Sequence, residues 1–355
     1  MRLWIDDLRA LLRITFGIAP GIDPAQDQNV MQGVQIRRWT GGRDAAVPDD
    51  VADVVVEAFG CGLPKHYEDA MLRRARSPAW IVLEYLSAES WVETHHGLPS
   101  PHPSLSLARH FFFPGFTPAT GGLLRENRLF AQRDAFQSNP AARAEFWRVL
   151  GVAQPAAGAI VVSLLCYPDA PLPALLDAWA DGDDAVMCVV PEGVAAGALD
   201  RWTEGEVPHP GQSLTRGRLV LTGIPFLAQD DYDRLLWASD INFVRGEDSF
   251  VRAQWAARPF VWNAYVQSGN AHALKLDAFL ARYGDGLAPG PAAVLGSFSK
   301  AWNDAGEGEP TVGARWPALL GARSALDEYS RTWAQALAVQ ADLASALVKF
   351  ATDRV

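Results

Sequence analysis

The chain has 355 residues, 49% hydrophobic and 20% charged, with a formal net charge of −10. This length exceeds one typical core and predicts two domains, and the composition excludes a disordered chain. The acidic balance argues against bulk binding to nucleic acid or to an anionic membrane, because those surfaces repel an acidic protein. No apolar run reaches the roughly 18 residues of a spanning helix, and the start Met-Arg-Leu-Trp-Ile-Asp-Asp meets two acids too early for a signal peptide. Cys61, Cys166 and Cys188 lie in apolar stretches and read as small core residues in a reducing, cytoplasmic setting.

In chain order, residues 3–5 read as a strand and 8–12 as a short helix. Residues 34–36 and 53–59 read as strands, the second ending in Gly60-Cys61-Gly62-Leu63-Pro64, a loop-former. Residues 67–76 have a helical pattern, and 80–86 form an apolar run of buried-strand type. From 87 to 137 proline, glycine, serine and histidine become frequent, and the densely aromatic His110-Phe111-Phe112-Phe113-Pro114-Gly115-Phe116-Thr117 sits within what reads as long loops. Residues 141–150 are helical, and 151–158 are rich in Gly, Pro and Ala, as in an interdomain linker. A second alternation follows: strands at 159–167, 185–190, 219–226, 241–244 and 260–265, and helices at 174–180 and 230–238. Helices then run over 271–283, 292–302 and 324–349. Strands alternating with helices predict parallel sheets and an α/β class.

The stretch after the strand at 241–244 carries the chemistry. Arg245 and Gly246 end the strand, and Asp248 or Ser249 can cap a helix that continues through Phe250, Val251 and Gln254. A strand, a tight glycine loop and a helix N-terminus form an anion site, since the first N–H groups of a helix lack internal partners and face the positive end of its dipole. Arg245 adds a two-pronged donor suited to phosphate. Tyr167, Phe226 and Gln229 lie near the ends of other strands of the same half, where rings can sandwich a base and an amide can read its edge. Two αβ domains place a ligand cleft between them, so this set suits a nucleotide-activated substrate. An oxidoreductase would carry G-x-G-x-x-G after its first strand, and a serine hydrolase G-x-S-x-G; neither is present. His95 and His96 are adjacent, not four apart, and read as a solvated loop rather than metal ligands.

Several stretches resemble the protein-arginine rhamnosyltransferases that modify elongation factor P. They are Val244 to Ala256 (Val-Arg-Gly-Glu-Asp-Ser-Phe-Val-Arg-Ala-Gln-Trp-Ala) with Arg258-Pro259-Phe260-Val261-Trp262, Phe112 to Thr117 with Thr120 to Glu126, Leu3 to Leu8, and Pro225-Phe226 with Gln229 to Trp237. The resemblance covers the whole chain in order. It implies a GT-B fold of two Rossmann-like domains facing a central cleft, with an acceptor-binding domain at 1–152, a nucleotide-sugar domain at 153–325, and a carboxyl-terminal helical segment at 326–355 packing back on the first. It implies transfer of L-rhamnose from dTDP-β-L-rhamnose to an arginine of elongation factor P, with inversion and without a metal or other cofactor. Tyr167, Phe226 and Gln229, with Asp230 and Asp231 beside them, would surround the thymine. Arg245, Gly246, Glu247, Asp248 and Ser249 would hold ribose and diphosphate, with Glu247 a catalytic-site residue whose loss disables the enzyme.

Two departures qualify that expectation. Leu165 stands where the family often has an aromatic residue, which weakens base stacking there. The family also opens with a strand and the turn Asp-Asn-Tyr/Phe-Gly-Asp-Ile-Gly, whose second aspartate is its expected base; neither Asp6-Asp7 nor Asp49-Asp50 stands in such a context. The expectation is a chain whose first βα unit is missing, and with it the alternative of an inactive dTDP-sugar or elongation-factor-binding protein. Arginine is protonated at neutral pH, so its attack on a sugar needs a carboxylate to orient it and take its proton. Glu247, beside the diphosphate, reads as a ribose or loop ligand and not as that base.

Overall fold

The computed structural model describes residues 1–14, 23, 26, 28–39, 51–101, 106–304 and 310–355; Asp49 and Asp50 lie outside them. In chain order the elements are β1 (Arg2–Ile5), α1 (Leu8–Ile14), β2 (Gln28–Met31), β3 (Val34–Arg38), β4 (Val54–Ala58), α2 (Lys65–Leu72), β5 (Ala79–Leu83), α3 (Trp91–His95), β6 (Pro99–Pro101), β7 (Ala108–Phe112), α4 (Leu129–Gln137), α5 (Pro140–Val149), β8 (Ile160–Leu164), α6 (Leu172–Asp181), β9 (Val186–Pro191), α7 (Ala196–Thr203), β10 (Ser213–Arg216), β11 (Leu219–Ile224), α8 (Gln229–Ala238), β12 (Ile241–Arg245), α9 (Asp248–Ala256), β13 (Phe260–Asn263), α10 (Ala271–Gly284), α11 (Pro289–Asn303), α12 (Val312–Ala338) and α13 (Leu343–Thr352). None of these helices is long and apolar enough to cross a membrane.

The chain divides into two compact units. One comprises Met1–Leu124, Leu227–Gln229 and Gln340–Val355, and the other Arg125–Phe226 and Asp230–Val339. Thus α4 and α5 belong with the second unit, and the division falls at Leu124 rather than at the Gly- and Pro-rich stretch 151–158.

The first unit holds two sheets. One has the order β1-β3-β2, and the other β4-β5-β7-β6, with β4, β5 and β7 parallel. The aromatic run read as loop is therefore partly strand. Residues 109–112 pair with β5, and Phe112 packs with Ile81 and Ala351 of α13 in a small core. The strand escaped notice because its residues show no polar alternation. The pair His95-His96 is likewise not a solvated loop: His95 ends α3, and His96 is half-buried, accepting the Phe113 N–H at 3.0 Å, with burial lowering its imidazole pKa. Asp7 caps α1, its carboxylate accepting from the N–H groups of Arg9 and Ala10. Cys166 and Cys188 are buried, but Cys61 is exposed, because β4 stops at Ala58 and Cys61 falls in the turn beyond it.

The helical run expected over 324–349 is two helices. It breaks at 339–342, where the Asp342 carboxylate accepts from the Ser345 N–H and starts α13 anew. The two parts belong to different units, with Gln340 to Val355 in the first.

The second unit is built on a six-stranded sheet of order β10-β11-β9-β8-β12-β13. All its pairings are parallel except β10 with β11. Omitting the antiparallel edge strand, the parallel strands in chain order lie third, second, first, fourth, fifth. This is a doubly wound sheet whose order reverses between β8 and β12. Buried polar groups fix that seam. The Ser163 hydroxyl donates to Asn242 Oδ1 at 2.6 Å, the Asn242 amide donates to Leu236 O at 3.1 Å, and the Asp240 carboxylate accepts the Val161 N–H at 2.8 Å. Around them Phe243 packs edge-on against Trp302 and Trp179.

Helices α6 and α12 approach closely at Gly313, where an added Cβ would lie 2.1 Å from the Ala174 carbonyl oxygen. Gly296 in α11 has no such neighbour within 4 Å. We expect Gly313→Ala to destabilise the protein by roughly 1–3 kcal/mol through overpacking. Gly296→Ala should stabilise it by about 0.5–1 kcal/mol through helix propensity. Urea denaturation of the two variants checks both signs.

Candidate active site

In open parallel sheets a ligand binds outside the carboxyl ends of the strands where the order reverses. Here that place is the pair of loops after β8 and β12. The ladder runs one residue past β8, with the Leu165 N–H donating to Phe243 O at 3.0 Å. Cys166 is then buried, its thiol pKa raised by burial to about 12. The Tyr167 N–H donates to the side chain of Asn263 at the end of β13, 2.8 Å away. Asn303 in turn binds that strand end, accepting the Ala264 N–H at 2.7 Å and donating to Trp262 O.

The loop after β12 is held from several sides. The indole N–H of Trp262 donates to Gly246 O at 2.8 Å, and its ring stacks on Phe250 at 4.2 Å. Gly246 has φ +62°, which a residue with a Cβ rarely adopts, and a Cβ there would come within 3.3 Å of the Tyr167 hydroxyl. The Arg245 guanidinium lies over the Tyr167 ring, 4.8 Å from its centroid. Tyr265, mostly exposed, meets the same ring edge-on. Burial raises the Tyr167 phenol pKa, with Arg245 working against it.

Helix α9 begins at Asp248 with Glu247 as its N-cap residue, and no side-chain cap closes it. Ser249 is not the cap expected from the sequence. Its hydroxyl turns back on Arg245, donating to the carbonyl and accepting from the N–H. The first bond of the helix is Val251 N–H to Glu247 O, so the N–H groups of Asp248 and Ser249 have no partner inside the helix.

Beneath this turn lies a charged cluster that the sequence reading missed. Arg252, fully buried on α9, donates to Asp233 of α8 at 3.1 Å and, as a two-pronged pair, to Glu126. Two carboxylates thus share one guanidinium. Burial works against the Glu126 carboxylate, yet the hydrogen bond and charge of Arg252 outweigh it and hold the group below its usual pKa. Asp233 is the more buried of the two and stands second in line for the same cation. Burial, opposed by Arg252 and reinforced by Glu126, pushes it up to about 7. The available signal was a single cation amid the apolar residues of α9, which left it no solvent face. Next to Asp233, Tyr232 carries a buried hydroxyl beside Ser249 without a hydrogen bond of good geometry, and burial raises its pKa.

The structure therefore gathers Tyr167, Arg245, Gly246, Glu247, Asp248 and Ser249 beyond the carboxyl ends of the adjacent strands β8 and β12. Phe226, Gln229, Asp230 and Asp231 follow β11, which β9 and β8 separate from β12. Phe226 is 53% exposed at that strand's end. Gln229 opens α8 with its amide nitrogen buried and without a hydrogen-bond partner, while Asp231 pairs with Arg234 at 2.8 Å. Among the described residues no group of three or more His, Cys, Asp and Glu side chains could hold a metal.

Asp233 supplies a pH test. Its folded pKa lies above the ordinary aspartate value near 3.9, so its contribution to stability is fully present below that value and is lost as pH rises through about 7. Glu126 acts in the opposite sense, over the acid range. Asp233→Asn should therefore gain on the wild type by about 1–3 kcal/mol between pH 5 and pH 8. Urea denaturation at the two pH values reads this, and parallel curves would refute the assignment.

A family model described as "Elongation-Factor P (EF-P) rhamnosyltransferase EarP" matches residues 1–352. A protein-arginine rhamnosyltransferase of Pseudomonas putida is 46% identical over 354 residues, covering 99% of this chain and 89% of that protein. One from Pseudomonas aeruginosa is 41% identical over 353 residues, covering 99% and 90%. A solved structure described as the structural basis for EarP-mediated arginine glycosylation of translation elongation factor EF-P is 41% identical, covers 69% of this chain and 76% of its own, and has a TM-score of 0.62. With its α/β architecture and a match that runs nearly end to end, the chain belongs to the EarP family of elongation factor P rhamnosyltransferases.

Proposed function

We propose that this protein transfers L-rhamnose from dTDP-β-L-rhamnose to an arginine side chain of elongation factor P in the cytoplasm, with inversion at the anomeric carbon and without a metal or other cofactor. Neither nucleic acid nor a membrane is part of this reading. One observation carries it: in a chain of this family, the reversal point of a doubly wound sheet is lined by a Tyr167–Arg245 stack and by the uncapped start of α9.

The leaving group of the reaction is a nucleoside diphosphate, which gains negative charge as the glycosidic bond breaks. Arg245 and the N–H groups of Asp248 and Ser249 are fixed donors of the kind that stabilise such charge. Tyr167 offers a ring to the base, and Phe226 and Gln229, after β11, offer a second ring and a buried amide. Asp230 and Asp231 stand beside them. Glu247 and Asp248 cannot contact the diphosphate without repulsion, so their carboxylates suit the hydroxyls of ribose or sugar, which donate hydrogen bonds. In this reading Glu247 is a donor-binding residue and not the base. The acceptor arginine attacks the face opposite the departing diphosphate, giving an α-linked product, and needs its own carboxylate to take the proton.

Incubation of the protein with elongation factor P and dTDP-rhamnose should add one deoxyhexosyl unit to the acceptor, read by intact mass, with an α linkage by NMR. Acceptor mass unchanged at full nucleotide binding would sink the transferase reading. Glu247→Gln should weaken dTDP binding by about tenfold or more, as expected for loss of a charge-assisted hydrogen bond. If its dTDP affinity stayed at the wild-type level and only turnover fell, the assigned role of Glu247 would be wrong.

A further inference from the structure

We infer that Arg252 is a positioning residue of the nucleotide-sugar clamp: held between Glu126 and Asp233, it fixes the start of α9 against α8 and so sets where Arg245 to Ser249 present their donors. The inference rests on the donor-site reading proposed above.

Arg252 follows Ser249 by three residues and Asp248 by four, so it leaves the same face of α9 one turn below the loop. Its guanidinium ties three segments that are distant in sequence: Glu126 just ahead of α4, Asp233 on α8, and α9 itself. A chain of contacts then leads to the site. Asp233 neighbours Tyr232, whose hydroxyl lies beside Ser249. Ser249 closes both backbone polar groups of Arg245, and Arg245 lies over Tyr167. A shift of α9 along α8 would carry the whole clamp with it.

A role in stability alone explains this cluster poorly. Every residue from Ser249 to Ala256 is buried, and well-packed apolar side chains can stabilise such a position as well as a buried ion pair does. What the ionic link adds is geometry. The guanidinium fork meets Glu126 with two parallel bonds and leaves one direction for Asp233, so α9 has one register against both partners. An ammonium cannot impose that arrangement, because it is a point charge on a flexible stem.

Arg252→Lys keeps the charge and loses the fork, and Asp233→Asn keeps the shape and loses the charge. Three readouts decide: dTDP affinity by calorimetry, KM for each substrate, and amide hydrogen exchange across 245–251 in the unliganded protein. Arg252→Lys should raise the Kd for dTDP and the KM for dTDP-rhamnose by about tenfold, leave the KM for elongation factor P within about twofold, and speed exchange at the Arg245 amide while β8 and β9 stay protected. Asp233→Asn should move the same quantities in the same direction by less, and it serves alone if the lysine variant does not fold. Folded variants with wild-type dTDP affinity and wild-type exchange at Arg245 would overturn the inference, as would a loss of kcat alone in proportion to folded protein. A wild-type protein without dTDP affinity would overturn the donor-site reading instead, while unchanged exchange at Arg245 counts against this inference whatever the ligand.

Discussion

The second unit depends on the seam between β8 and β12. A parallel sheet has an open crevice at its strand ends only where neighbouring connections leave in opposite directions, and here that happens at this one pair. The seam is also where the sheet's interior is most polar. Ser163 and Asn242 hydrogen-bond side chain to side chain inside the sheet, and Asp240 accepts a backbone N–H from the neighbouring strand. Unpaired, such buried groups would each cost on the order of 1–3 kcal/mol, so a slip of one residue in register is penalised well beyond the loss of apolar packing. Register at the seam decides whether Tyr167 faces Arg245, because each lies within three residues of a strand end that the seam fixes. The asparagine at the end of β13 extends the same control to the far side, since it receives the Tyr167 N–H directly.

Much of this was legible in the sequence, and the exceptions have physical causes. The strands of the second unit are runs of buried Val, Ile, Leu and Phe, because a parallel sheet covered on both faces needs apolar residues at every position. That pattern, with the glycine at 246, located the turn between β12 and α9. The edge strand β10 was invisible, since Ser213 to Arg216 is largely exposed and its pairing is set by the partner β11. The strand β7 was hidden among phenylalanines and prolines that read equally well as loop. The helical run ending in α13 was read through its break, because Val339 and Gln340 have ordinary helical propensity and only the Asp342 cap reveals the new start. The charged cluster was unreadable for a different reason. Glu126, Asp233 and Arg252 are separated by more than a hundred residues and by nineteen, respectively, and no periodicity links a carboxylate on one element to a guanidinium on another. The Ser249 hydroxyl shows the limit of cap rules: it is a capping residue at a helix start, yet it binds backward to Arg245 and leaves the first N–H groups of α9 open. A capped helix would have spent those donors on its own side chain.

That open helix start also bears on the acids around it. Glu247 and Asp248 stand at the positive end of α9, where a carboxylate is favoured by the helix dipole, and each would repel a diphosphate placed in the same turn. In the donor site proposed above, anion and acids would divide the space, the anion on the backbone donors and Arg245, the acids on hydroxyl groups of the same ligand. A nucleotide sugar offers this alternation of phosphate and polyol along its length, whereas a bare phosphate or a sulfate does not. The Arg245 guanidinium lies over the Tyr167 ring, an attraction between cation and ring face that favours this placement of the arginine. Below the turn, Arg252 keeps two further carboxylates, Glu126 and Asp233, engaged on their own cation. The distribution of charge is therefore selective by position: cation and free N–H groups at the loop, acids flanking them, and a separate buried cation below.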